Sequence, residues 1–208
     1  MEVIGRHLET RDYVECGHPC WSAIPYLAEQ FAGRVRLIHL TRHPIPTALS
    51  WTTHQAFTPP LLPHLAEKVL LSPFDDGVQF PEYREWWPTL TPFEKCLYYW
   101  AEVNAFGLNQ RVRRSAPWLA LRYESLFRGD GLGDLLSFLD LPDRESMWSA
   151  RAVAIDRFRF ATLTWPDPAL AARHVRVVDV ARRLEYDVAD VNPHVLQRRY
   201  LRLDETLP

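Results

Sequence analysis

Val35 to Leu40 (VRLIHL) is a compact, largely apolar run of strand length that leads into Arg42-His43-Pro44-Ile45-Pro46. Such a run fits a parallel strand covered on both faces. The residues after it fit a loop turning into a helix with proline in its first turn, running to about Ala56. Trp118-Leu119-Ala120-Leu121-Arg122-Tyr123, after Pro117, is a second strand candidate, and Asp12 to Glu15 a shorter one. Helical spacing marks Trp21 to Phe31, closed by Gly33, and a long helix from Phe93 to Arg114 capped by Thr89 or Thr91. Further helices are expected over Gly133–Leu139, Arg144–Phe158, Pro168–Tyr186 and Val191–Arg202. Strands alternating with helices imply an α/β fold with a mostly parallel sheet, whose ligand site belongs at the carboxyl ends of the strands.

The length of 208 residues fits a single domain, and 47% hydrophobic with 24% charged residues is a globular composition. Residues 57–92 are punctuated by prolines, with one short helical stretch near His64 to Leu71. Phe74, Phe80, Tyr83, Trp86 and Trp87 mark this segment as a packed insertion or lid rather than a linker. The formal charge of −2 argues against a general nucleic-acid binder, so any anion site must be local. No apolar run is long enough for a membrane span, and the N-terminus lacks the pattern of a secretory signal. Cys16, Cys20 and Cys96 are too few for a disulfide framework. These features together read as a cytoplasmic protein. Cys16-Gly17-His18-Pro19-Cys20 offers three close ligands but no second pair, so no metal is expected.

The scarcity of glycine and lysine excludes more. There are 8 glycines against 17 prolines, and every basic residue except Lys68 and Lys95 is arginine. A phosphate-binding loop normally draws on several glycines and often a lysine, and no Gly-x-x-x-x-Gly-Lys-Ser/Thr pattern occurs. A nucleotide kinase relative is disfavoured on that ground. The cluster Gly129-Asp130-Gly131-Leu132-Gly133 reads as a turn before a helix.

Arg42 and Ser50 carry the most specific chemistry. An arginine leaving the carboxyl end of a buried strand sits where this fold class gathers ligands, and its planar fork suits phosphate. Ser50, one to two turns into the following helix, can donate its hydroxyl to the same anion.

The order of strand, Arg42, Pro44 and Ser50 resembles the 3′-phosphate-binding motif of sulfotransferases, enzymes that use 3′-phosphoadenosine 5′-phosphosulfate. Trp118 to Leu126 (WLALRYESL) is similar to that family's "RYEDL" segment, and Phe138-Leu139-Asp140-Leu141-Pro142 to its "FLGLP". Tyr98 to Asn104 and Val175 to Tyr186 are similar to its later helices. The resemblance implies a three-layer α/β fold of the P-loop-NTPase-like kind, with a parallel sheet and flanking helices over a single domain of residues 1–208. It also implies transfer of a sulfuryl group to a hydroxyl or amine on a small-molecule or carbohydrate acceptor. On the same resemblance Arg42 and Ser50 hold the 3′-phosphate, Tyr123 lies near the adenine or its ribose, and Glu15 is the first candidate general base, with His18 second. The family's opening glycine-rich phosphosulfate loop has no counterpart upstream of Glu15. The expectation is therefore an N-terminally truncated fold, with a catalytically inactive nucleotide-binding or interaction module as the alternative function. A lost strand would leave a sheet edge that a second copy of the chain could cover, as a homo-oligomer.

Overall fold

A computed structural model describes residues 12–15, 20–66, 70–113, 116–143 and 165–200. Two parallel strands, β1 (Leu37–Thr41) and β2 (Trp118–Arg122), form the sheet among these residues, in register from Leu37 opposite Trp118 to Thr41 opposite Arg122. The α-helices are α1 (Ile24–Gln30), α2 (Pro44–Thr53), α3 (Pro63–Ala66), α4 (Pro92–Arg113), α5 (Tyr123–Arg128), α6 (Asp130–Phe138), α7 (Val175–Arg183) and α8 (Pro193–Tyr200). The expected helix over 144–158 and the candidate His18 lie outside the described residues.

Local chemistry sets the element boundaries. Helix α4 opens on a capping box: the Thr91 amide and hydroxyl donate to Glu94 Oε2 at 2.9 and 2.7 Å, and the Glu94 amide donates back to Thr91 Oγ1 at 3.3 Å. Helix α8 starts at Asn192, whose Oδ1 accepts from the amides of His194 (3.0 Å) and Val195 (3.2 Å), with Pro193 as the first helical residue.

Several elements differ from expectation. Asp12 to Glu15 is irregular and exposed rather than a strand. The helix read from Trp21 begins as a 3-10 turn, Cys20–Ala23, because Pro25 sits in the first turn of α1 and donates no amide. The helix expected over 168–186 is a 3-10 stretch (Pro168–Arg173) followed by α7, divided at His174, whose backbone is extended. In the glycine cluster only Gly129 is the turn, at φ 109°, and α6 already begins at Asp130. A Cβ on Gly131 would meet Leu121 Cδ1 at 2.8 Å and the Leu126 amide nitrogen at 3.1 Å, so glycine there lets α6 close against β2.

The core lies on one side of the sheet, where Ile45, Ala48 and Leu49 of α2 meet Phe93, Leu97, Trp100 and Ala101 of α4, Val177 and Val180 of α7, and Leu196 and Tyr200 of α8. His39 of β1 faces α4 and pairs through Nε2 with Asn104 Oδ1 at 3.0 Å. Trp118 stands edge-on to the His39 ring at 5.5 Å. On the opposite face α6 covers Leu121, whereas Ile38 and Leu40 stay exposed. Described residues of the 57–92 segment, among them Phe57, Leu65, Tyr83 and Trp87, pack onto α4 and its neighbours. Tyr83 is buried against Tyr98 and stacks on His174, and buried Glu102 accepts from the amides of Gln79 (3.0 Å) and Phe80 (2.7 Å) and from Tyr98 Oη (3.1 Å). Burial pushes the Tyr83 and Tyr98 hydroxyls well above the ordinary tyrosine value, and nearby carboxylates, Glu82 for Tyr83 and Glu102 for Tyr98, add to the effect.

Candidate functional site

The carboxyl ends of β1 and β2 lie side by side and bring Arg42 and Tyr123 together. The Arg42 guanidinium sits over the Tyr123 ring, 4.9 Å from its centroid, and Nη2 donates to Tyr200 Oη at 2.8 Å. Behind it, Trp100 Nε1 donates to the Arg42 carbonyl at 2.9 Å. Tyr200 takes one of the two Nη2 hydrogens, and Nε and Nη1 meet no acceptor among the described residues, so one bidentate edge of the fork is left open. Ser50 lies two turns along α2, one turn beyond Pro46, whose carbonyl accepts from Tyr200 Oη at 2.9 Å. Residues four apart share a helix face, so Pro46 and Ser50 both lie on the side that Tyr200 touches.

The start of α2 is already filled. Pro44 and Pro46 have no amide hydrogen, the His43 amide donates to Glu124 Oε1 at 3.1 Å, and the Ile45 amide donates to His43 Nδ1 at 3.3 Å. The Thr47 amide closes the first helical bond on the His43 carbonyl. The backbone here therefore offers no nest for phosphate, and an anion beside α2 must be held by side chains. Since Nδ1 accepts, the His43 proton sits on Nε2, which donates to the Asp187 carbonyl at 2.8 Å. Burial holds His43 below its ordinary pKa of 6.5; the Asp187 hydrogen bond and the charges of Glu124 and Asp190 oppose that shift, and Arg122 adds to it.

Glu124 ties this loop to the C-terminal segment. Its Oε2 accepts from Tyr186 Oη at 2.9 Å, and that hydroxyl lies 3.2 Å from Thr41 Oγ1. Burial pushes the Tyr186 hydroxyl up to about 12. The Arg122 guanidinium covers the Tyr186 ring at 4.4 Å, with Nε buried and without a hydrogen-bond partner. Arg42 and Arg122 set two guanidinium groups at the strand ends, and Glu124, bonded to the His43 amide and the Tyr186 hydroxyl, is the nearer of the carboxylates that face them.

Of the other expected site residues, His18 lies outside the described residues. Glu15 is exposed, and its carboxylate accepts from Tyr13 Oη at 2.6 Å. Among the described residues no group of His, Cys, Asp and Glu could hold a metal ion, and no helix is long and apolar enough to cross a membrane. Sequence reading missed Tyr186, Tyr200 and the double role of Glu124. Glu124 stood in the RYE-like segment and Tyr186 ended a helix similar to the family's, but nothing in the local pattern marked Tyr200.

A sulfotransferase domain from the curacin biosynthetic pathway superposes with a TM-score of 0.55, at 18% identity, covering 89% of this chain and 68% of its own. No family model and no curated protein matches the sequence. The chain thus shares its fold with a sulfotransferase domain.

Proposed function

We propose that the protein is a sulfotransferase that moves a sulfuryl group from 3′-phosphoadenosine 5′-phosphosulfate to a hydroxyl or amine on a small-molecule or carbohydrate acceptor. The observation that carries this reading is the placement of Arg42 over Tyr123 at the ends of two paired parallel strands, with half its fork unpaired and Ser50 on the adjoining helix. That donor set fits a phosphate monoester held by side chains alone: the planar fork takes two oxygens and the Ser50 hydroxyl a third. Tyr123 borders the nucleoside next to the phosphate.

Sulfuryl transfer depends on positioning and on neutralising charge at the transferred group and the leaving phosphate. In this reading the acceptor oxygen or nitrogen bonds to sulfur as the sulfur–oxygen bond to the 5′-phosphate breaks. The acceptor's proton passes to a general base, and 3′-phosphoadenosine 5′-phosphate leaves. Glu15 is the base we assign first and His18 second; the Glu15 carboxylate is open to solvent.

Titration calorimetry of 3′-phosphoadenosine 5′-phosphate into the full chain tests the nucleotide site. The expected result is binding that Arg42→Ala weakens at least about a hundredfold, the scale of losing a bidentate charged contact. No heat of binding to the native protein would overturn the reading. Transfer of labelled sulfate from the phosphosulfate donor to a panel of phenols, alcohols and amines then tests the activity.

A further inference from the structure

Tyr200 carries an inference that rests on the assignment of Arg42 to an anion. Its hydroxyl stands between two elements of the site, accepting from Arg42 Nη2 at 2.8 Å and donating to the Pro46 carbonyl at 2.9 Å. Tyr200 is buried, and so is Leu196 one turn earlier, so the two anchor α8 in the core by the same face. The Asn192 cap and Pro193 fix where α8 begins, and hence where its last turn delivers the hydroxyl. The exposed Arg199 guanidinium lies over the Tyr200 ring at 5.7 Å, on the residue's outer side.

An arginine side chain has several rotatable bonds, and holding it in one geometry costs entropy that a ligand must otherwise supply. Here three contacts remove that freedom before any ligand arrives. Trp100 fixes the Arg42 backbone, the Tyr123 ring fixes the plane of the guanidinium, and the Tyr200 hydroxyl fixes its rotation within that plane. Tyr200 takes one Nη2 hydrogen, and the second Nη2 hydrogen with its neighbouring N–H leaves one bidentate edge of the fork open. A tyrosine hydroxyl that also donates to backbone is held at both ends and sets a direction that a water molecule would not.

We propose that Tyr200 is a positioning residue. Docking of α8 orients the Arg42 guanidinium for bidentate capture of the 3′-phosphate, so that discrimination in favour of a 3′-phosphorylated nucleotide depends on this C-terminal helix. Tyr200 acts through Arg42 and does not itself touch the ligand.

The test measures, for the full-length protein, the ratio of dissociation constants of adenosine 5′-monophosphate and adenosine 3′,5′-bisphosphate, which isolates the contribution of the 3′-phosphate. Wild type, Arg42→Ala, Tyr200→Phe and Asn192→Ala are compared by calorimetry, with thermal unfolding of each free protein measured alongside. Arg42→Ala is expected to abolish the preference. Tyr200→Phe is expected to lower it about tenfold, the scale of one hydrogen bond to a charged group. Asn192→Ala, which loosens α8 without touching Tyr200, shifts the ratio in the same direction. A merely structural role would lower the melting temperature and weaken both nucleotides alike, leaving the ratio unchanged. Loss of preference in Arg42→Ala with an unchanged or raised ratio in Tyr200→Phe overturns this inference and leaves the Arg42 assignment standing. An unchanged ratio in Arg42→Ala overturns both.

Discussion

Replacing Gly107 by alanine puts a methyl group where the His39 ring already sits. An ideal Cβ at position 107 lies 2.7 Å from Cε1 and 2.8 Å from Nε2 of His39, closer than real Cβ atoms approach. The ring has little room to yield, since it is held by Asn104 at 3.0 Å and flanked by Trp118. Gly107 is near the middle of α4, so the exchange alone would favour the helix by about 1 kcal/mol. Overpacking a tight contact costs about 1–3 kcal/mol, and a restrained ring puts this site at the upper end. The net expectation is a loss of about 2 kcal/mol, or a fall in melting temperature of about 4–8 °C for a chain of this size. Gly133→Ala is the matched control. It is also helical, but its Cβ would meet nothing within 4 Å, so it should stabilise by up to about 1 kcal/mol. Thermal and urea unfolding followed by circular dichroism read both signs. Combining Gly107→Ala with His39→Ala removes the obstacle, and the cost of the glycine replacement should then vanish. A Gly107→Ala protein as stable as wild type would refute the close packing of α4 on β1.

Acid should act through His43. Its pKa is lowered on folding, so between its unfolded value of 6.5 and the lower folded value the unfolded chain holds more protons. Stability is therefore full above that window, declines as pH falls through it, and levels off once the folded imidazole charges. His39, also lowered by burial, adds in the same sense. His43→Asn keeps a cap acceptor without a titrating group, so its melting temperature should fall less steeply from neutral to mildly acidic pH; a slope equal to wild type would remove His43 from the account. Thr91→Ala deletes one half of the α4 capping box and should cost about 1 kcal/mol in urea unfolding, with the midpoint lowered and the slope unchanged. Glu94, which burial pushes up but the Thr91 and His174 hydrogen bonds pull below its ordinary value overall, loses the Thr91 hydroxyl's share of that support in the same variant and keeps the Thr91 amide and His174. Its pKa, followed by NMR, should rise.

The strand and helix signals around Val35–Ser50 and Trp118–Tyr123 were legible because each rests on local pattern: an apolar run, a proline in a first turn, a strand-end arginine. The cap of α4 was legible only as Thr89 or Thr91, and the structure puts it on Thr91. Asp12–Glu15 misled because alternation over four residues carries too little hydrophobic burial to fix a strand. The glycine cluster misled because Gly131 answers to the approach of Leu121, a contact that chain-local spacing does not encode. Within the site, Arg42 was found through its place at a strand end and Tyr123 through the resemblance of its segment. Tyr200 was not, since its meaning lies in a hydrogen bond spanning 158 residues of sequence.

The Arg42–Tyr200 and Thr41–Tyr186 contacts join residues 158 and 145 positions apart. During synthesis the strand-end arginine emerges 158 residues ahead of the tyrosine that steadies it. A growing chain can build α2 and pair β1 with β2 while the Arg42 guanidinium still lacks its contact with Tyr200. On the Tyr200 proposal, tight anion capture would then arise only once α8 has emerged, and a nucleotide present in the cell would stabilise chains that include α8 in preference to shorter ones.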